Sequence, residues 1–175
     1  DLVSVLMPVY NAEKTLSKSI ESILDQSYHN IEFVIIDDGS CDETWSIIDK
    51  YSKIDKRIIA RKNKNQGLTK SLNEGIEICS GKYIARQDSD DISLRNRLEK
   101  QYSVAESTGS DLVVTQAYEV CNQNVKIVPD AQLLSNLTFK STRFGNYFIH
   151  GTFFMKTSTL KEFKYDEKYK YSQDY

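Results

Sequence analysis

Apolar runs and spacings divide the first two-thirds of the chain into repeating strand–helix pairs. "VSVLMPVY" (Val3 to Tyr10) is a continuous apolar run interrupted by Pro8, the mark of a buried strand that ends in a turn. Leu16, Ile20, Ile23 and Leu24 follow at helical spacing, behind Asn11, a residue suited to cap that helix. "IEFVIIDD" (Ile31 to Asp38) is a second buried strand. Ser40 with Glu43 three residues on forms a capping-box pattern, opening a helix whose inner face carries Trp45, Ile48 and Tyr51. "RIIARKN" reads as a third strand, and "NQG" turns into a helix with Leu68, Leu72 and Ile76 in register. "KYIARQD" is the fourth strand, "SLRNRLEKQYSVAES" a helix and "DLVVTQAYEV" a fifth strand. Past about Val128 the pattern weakens. "NYFIHGTFFMK" reads as an aromatic-rich strand, "STLKEF" as a short helix, and "YDEKYKYSQDY" has no period.

Alternation of this kind predicts an α/β fold, a Rossmann-like, mostly parallel sheet with helices on both faces. Such sheets bind ligands beyond the carboxyl ends of their strands. Those ends carry Pro8, Val9, Tyr10 and Asn11; Asp37, Asp38, Gly39 and Ser40; Asn65, Gln66 and Gly67; and Asp88, Ser89, Asp90 and Asp91. Three carboxylates in four positions repel one another unless a positive charge sits among them. A hard divalent cation, Mg²⁺ or Mn²⁺, meets that need: it takes a few carboxylate oxygens and completes its shell with water and phosphate. The bland alternative is a solvated acidic turn. Other acidic sites fail on spacing. In an EF-hand register counted from Asp88, Ile92 occupies a ligand position and Ser93 replaces the glycine. No GxxxxGK or GxGxxG motif is present, so P-loop and dinucleotide-binding sites are unsupported. The first strand ends "MPVYN", with no acid for a haloacid-dehalogenase-type phosphotransferase and no glycine-rich loop for a nucleotidyltransferase.

Composition narrows the picture further. At 175 residues the chain fits one domain with a sizeable core. A net charge of −2, from 23 basic and 25 acidic residues, gives no basic stripe for nucleic acid. No apolar run approaches the roughly 20 residues of a membrane span. The opening "DLVSVLMPVY" reads at once as a strand, not as a signal peptide. Cys41, Cys79 and Cys121 are odd in number and lack a CxxC pair, which argues against a zinc or disulfide framework and fits a reduced, cytosolic setting. The sequon at Asn136 reads as chance in that setting. The first residue is not methionine, and "YKYSQDY" ends without a turn or helix-end signal, so the expectation is a fragment of a longer protein, truncated at its C-terminus.

Four segments together carry a specific resemblance. "SVLMPVYNAEKTLSKSIESILDQSY", "FVIIDDGSCDET", "NQGLTKSLNEGI" and "GKYIARQDSDDISLRNRLEKQ" resemble, in order and spacing, family 2 glycosyltransferases of the GT-A fold, the inverting type found in bacterial cell-surface polysaccharide synthesis. A fifth, "YSQDY", is similar to the family's acidic catalytic-base motif, with Gln173-Asp174 where the family often has Glu-Asp. The resemblance implies a single catalytic domain over 1–175, with a nucleotide-binding half (1–100) and an acceptor-side half (101–175). It implies a nucleotide-sugar donor, UDP-linked, and a saccharide or lipid-linked saccharide acceptor, in the cytoplasm and, for the full-length protein, at the inner face of the membrane.

The resemblance also assigns residues. Pro8, Val9 and Tyr10 line the uridine pocket, with the tyrosine ring against the base. Asp38 accepts the uracil imide N–H, while Asp37 is structural and Ser40 is accounted for by capping. Asn65 and Gly67 form an N-x-G turn whose glycine lets backbone approach the nucleotide. Lys70 meets the base or a phosphate, a solvated helix lysine being the alternative. Asp88 and Ser89 contact the nucleotide, and Asp88, Asp90 and Asp91 hold Mn²⁺ or Mg²⁺, with Asp90 the first choice as direct ligand and Asp91 unranked against it. Arg86 and Gln87 point opposite ways, and one of them reaches the nucleotide. Arg95 and Arg97 lie on the helix surface. Asp174 is the general base, a frayed tail carboxylate being its alternative. His150 and Gly151 stand near the acceptor side, where the glycine leaves room for a sugar. The rival implication is a non-catalytic nucleotide-sugar binding domain.

Overall fold

The computed structural model describes residues 1–122, 124–130 and 148–168. Four parallel strands form its centre: β1 (Val3–Val9), β2 (Ile31–Asp37), β3 (Ile58–Lys62) and β4 (Tyr83–Arg86). Between and after them come α1 (Leu16–Leu24), α2 (Thr44–Ile54), α3 (Leu68–Ile78) and α4 (Arg97–Thr108). Two short strands follow in the main sheet, β5 (Leu112–Val113) and, later in the chain, β8 (Phe154–Lys156); α5 (Thr157–Phe163) comes directly after β8. Strand order is β3-β2-β1-β4-β8-β5, with β8 antiparallel to both neighbours. A separate antiparallel ribbon joins β6 (Ala117–Cys121) to β7 (Asn124–Val128).

The two faces of the sheet are apolar because β1 and β2 are apolar at nearly every position. Val3, Val5, Met7 and Val9 pack with Phe33 and Ile35 against Leu16, Ile20, Ile23, Ile48 and Leu98. On the other face Leu6, Val34, Ile36 and Ile84 pack against Leu72 and Ile76 of α3. So α1, α2 and α4 cover one face and α3 the other. Leu24, Trp45 and Tyr51 rim the first cluster as expected, but Leu68, at the start of α3, is 39% exposed.

Several local expectations are corrected. "DLVVTQAYEV" is not one strand: β5 ends at Val113 and β6 begins at Ala117 in a different sheet. The described part of "NYFIHGTFFMK", from Phe148 on, holds a 3-10 turn (His150–Thr152) followed by β8. The fourth helix begins at Arg97 rather than Ser93, because the segment before it is bonded to α1 and the residues that follow it: Ser93 N–H donates to Ser22 Oγ, Leu94 C=O accepts from Gln26 Nε2, and Arg95 C=O accepts from Ser27 N–H. Asn11 does not cap α1, which starts at Leu16; it sits at φ 49°, and its side chain accepts from Cys41 N–H. Ser40 forms no capping box. Its Oγ accepts from Asn11 N–H, and Asp42 accepts from Thr44 N–H at the start of α2.

Candidate functional site

The site begins where neighbouring strands end at different heights. β1 pairs with β4 only over Val3–Leu6, and Gln87 N–H makes the last bond to Leu6 C=O. Pairing with β2 runs on to Val9 and Asp37. Leu6 and Pro8 share the β4 side of the strand, so the missing N–H of Pro8 falls where β4 has already turned away and breaks no ladder. β1 leads through α1 to β2 on one side, while β4 lies on the other. The gap between β1 and β4 is therefore a topological switch point, where open α/β sheets bind ligands.

On the β2 side the turns are tied together through Asp38. Its carboxylate is 95% buried and accepts three hydrogen bonds: Gln66 N–H and Ser71 Oγ–H on Oδ1, Gly67 N–H on Oδ2, each at 2.9 Å. An ionised carboxylate has about four lone-pair positions, so one remains. Gly39, at φ 79°, lets this turn touch the next loop, since a Cβ there would lie 2.5 Å from Asn65 N. Asp37 is wholly buried; its Oδ1 accepts from Ser40 N–H, and its Oδ2 has no hydrogen-bond partner. Around this buried knot stand exposed groups: Tyr10, 51% exposed, with Asn65, Gly67 and Lys70. Pro8 and Val9 lie inside the sheet.

Across the gap, Gln87 shapes the acidic loop. Its Nε2 donates to Ser19 Oγ of α1 and to the carbonyls of Asp88 and Asp91; its Oε1 accepts from Ser93 Oγ–H and Arg97 Nη1. Arg97 is not a surface residue. It reaches under the loop to Gln87, Ser93, Gln101 and Arg86 C=O, and burial, opposed by Asp91 and Asp88, pushes its pKa down to about 10, still cationic at neutral pH. Arg95 is exposed. Arg86 projects to the opposite face from Gln87, as expected, and its Nη2 lies 2.6 Å from Asp88 Oδ1.

The three aspartates are not gathered around one point. Among the described residues no three His, Cys, Asp or Glu side chains come together as a ready metal cage. Asp90 and Asp91 are exposed and Asp88 is half-buried, and a Cβ added at Gly151 would lie 2.8 Å from both Asp88 Oδ2 and Asp91 Oδ2. Gly151 thus leaves a cradle faced by two carboxylate oxygens, a donor set that suits a hard divalent cation. Burial, then the charges of Asp88 and Asp90, push the Asp91 carboxyl up, and Arg97 and Arg86 oppose the shift. Gly151, where the resemblance implies room for a sugar, faces these two carboxylates. His150 Nε2 is 2.7 Å from Tyr165 Oη, and its ring packs edge-on against Phe153. Asp174 lies outside the described residues.

The supporting residues were not singled out from the pattern: Ser19 and Ser22 on α1, Gln26 just after it, and Ser71 on α3. A serine every third or fourth position on the inner side of an apolar helix was the available signal.

With this geometry in view, the matches to known proteins fall into place. Residues 4–169 match the model of Glycosyl transferase family 2, and the chain belongs to that family. It is 38% identical over 171 residues to the putative glycosyltransferase EpsE of Bacillus subtilis, covering 93% of this chain and 59% of that protein. S. aureus TarS 1–349 in complex with UDP superimposes with a TM-score of 0.82 at 23% identity, over 99% of this chain and 53% of that one. A mannosyltransferase of Pyrobaculum calidifontis in complex with GDP-Man and Mn²⁺ superimposes with a TM-score of 0.60 at 20% identity, over 64% of this chain and 34% of that one. The fold is GT-A, and the chain spans just over half the length of the EpsE and TarS chains it matches. Among the described residues no helix is long and apolar enough to cross a membrane.

Proposed function

We propose that this chain is the donor-binding part of an inverting glycosyltransferase, which moves a sugar from a UDP-linked donor to a hydroxyl of a saccharide or lipid-linked saccharide. The observation that carries the reading is the switch point, with a base-sized aromatic and an acceptor carboxylate on one side and a carboxylate cradle on the other. Tyr10 offers an exposed ring for the base. Asp38 has one lone pair left for the imide N–H. Asn65 and Gly67 border that pocket, with Pro8 and Val9 forming its floor, and Lys70 is near enough in sequence to serve the base or a phosphate. Asp88 and Ser89 face the nucleotide. Asp88, Asp90 and Asp91 would hold Mn²⁺ or Mg²⁺, which supplies Lewis-acid stabilisation to a diphosphate leaving group. Asp174 would take the proton of the acceptor hydroxyl as general base. Attack in line with the departing diphosphate inverts the anomeric carbon. The acceptor side belongs to residues 101–175 and to the part of the relatives' length that this chain does not span.

The test is calorimetric titration of UDP into the full-length protein, with Mn²⁺ and then with EDTA, followed by release of UDP from UDP-sugars. The expected result is UDP binding that needs the cation, and turnover. Absence of UDP binding in both conditions overturns the reading, and cation-dependent binding without any turnover leaves a nucleotide-sugar binding domain in its place.

A further inference from the structure

Arg86 is a buried charge for which the donor site as described has no task. It ends β4, is 5% exposed, and its side chain lies among Leu6, Leu72, Ile84 and Phe153 on the α3 side of the sheet. Burying a guanidinium there is unfavourable, and its Nε has no hydrogen-bond partner. An apolar side chain would fill the place without that penalty. Among the described residues its side chain makes its polar contacts at the tip: Nη1 donates to Gln87 C=O, and Nη2 pairs with Asp88 Oδ1 at 2.6 Å. Arg97 brings a second cation under the same loop, and both arginines act electrostatically on Asp91.

Charge then decides what the loop can bind. Three bare carboxylates would hold a divalent cation strongly by themselves. Two guanidinium groups beneath them leave one net negative charge, a weak partner for a lone cation. Once a cation sits in the cradle, the local charge turns positive and attracts a diphosphate. We infer that Arg86 sets the charge of the acidic loop so that the divalent cation and the nucleoside diphosphate bind as a pair, each weakly without the other. Arg86 acts through Asp88 and is a positioning residue rather than a catalytic one. The inference rests on the donor-site reading above.

The experiment uses full-length wild type, R86L and R86K. Free Mn²⁺ is followed by electron paramagnetic resonance with and without UDP, and thermal unfolding is measured without ligands. R86L should bind Mn²⁺ alone about tenfold more tightly, the effect of removing one nearby positive charge, and the factor by which UDP strengthens Mn²⁺ binding should fall by a similar amount. Its Tm should fall modestly, since Asp88 loses its partner and the carboxylates repel more strongly, so thermal unfolding serves to confirm that the variant is folded. R86K keeps the charge and should keep the coupling. Wild-type Mn²⁺ affinity and coupling in R86L overturn the inference. If R86L does not fold, loss of coupling in R86K overturns it equally. A wild type that binds neither UDP nor Mn²⁺ brings down the donor-site reading itself, an outcome separate from coupling that ignores Arg86.

Discussion

In the proposed donor site, Tyr10 and Asp38 would serve one pocket in opposite ways. Tyr10 is half exposed and belongs to neither core cluster, so Tyr10→Ala should change stability by no more than about 0.5 kcal/mol. It should still weaken UDP binding by about 1–3 kcal/mol, the usual worth of one base–aromatic stack. Asp38 is both part of the fold and part of the site. In Asp38→Asn an amide N–H₂ must face either Gly67 N–H or the pair Gln66 N–H and Ser71 Oγ–H. Losing a charge-assisted acceptor there should cost about 2 kcal/mol and weaken UDP binding as well. Urea unfolding and calorimetry on the two variants separate the cases. A destabilised Tyr10→Ala, or a fully stable Asp38→Asn, would reverse the assignment.

At the level of elements, the end of the sheet remote from the site is pinned by Glu32, opposite Ser4 in the β1–β2 register. Its carboxylate accepts from Ser4 Oγ–H, from Ser80 N–H and Oγ–H, and from Gly81 N–H, holding the α3–β4 turn. Burial pushes the Glu32 carboxyl up, but these hydrogen bonds together outweigh it and hold the group below the ordinary carboxylate range. A lowered folded-state pKa stabilises the fold above the ordinary value, and that contribution is lost as pH falls through the lowered one. Glu32→Gln should therefore be less stable than wild type at neutral pH, with the gap closing as pH falls from the ordinary carboxylate range through the lowered value. Unfolding midpoints across that range check it, and a gap that stays constant with pH would remove the charge from the explanation. Elements up to α4 were legible because β1 and β2 are near-continuous apolar runs, β3 and β4 open with apolar residues, and their helices carry one apolar stripe each. Beyond α4 the pattern misled. "DLVVTQAYEV" looks uniform, yet Val114–Gln116 takes it out of the sheet, and nothing local records that β8 returns antiparallel beside β4. The acidic loop was legible as chemistry. Its scaffold was not, since Gln87 and Arg97 are polar residues whose burial depends on partners far along the chain.

Among the described residues, the most buried strands and the proposed donor contacts lie in the same half. β1 and β2 are buried on both faces, and nearly every proposed donor contact hangs from the ends of β1 to β4, where a rigid frame can hold a geometry. The β6–β7 ribbon is built differently. Its cross-strand pairs Tyr118–Ile127 and Val120–Val125 share one face, and all four side chains are more than half exposed. The opposite face has the Glu119–Lys126 ion pair at 2.8 Å, which at the surface adds little. A two-stranded ribbon without a covering layer is marginal in water. Native-state hydrogen exchange should therefore find the β1 and β2 amides exchanging only through global unfolding, and the β6–β7 amides exchanging orders of magnitude faster through local opening. UDP with Mn²⁺ should slow exchange further at residues 63–67 and 87–91 and leave the ribbon unchanged. Ribbon protection equal to that of β1 would mean that the exposed apolar face is covered in solution, and slowing of the ribbon by UDP would mean that it belongs to the site.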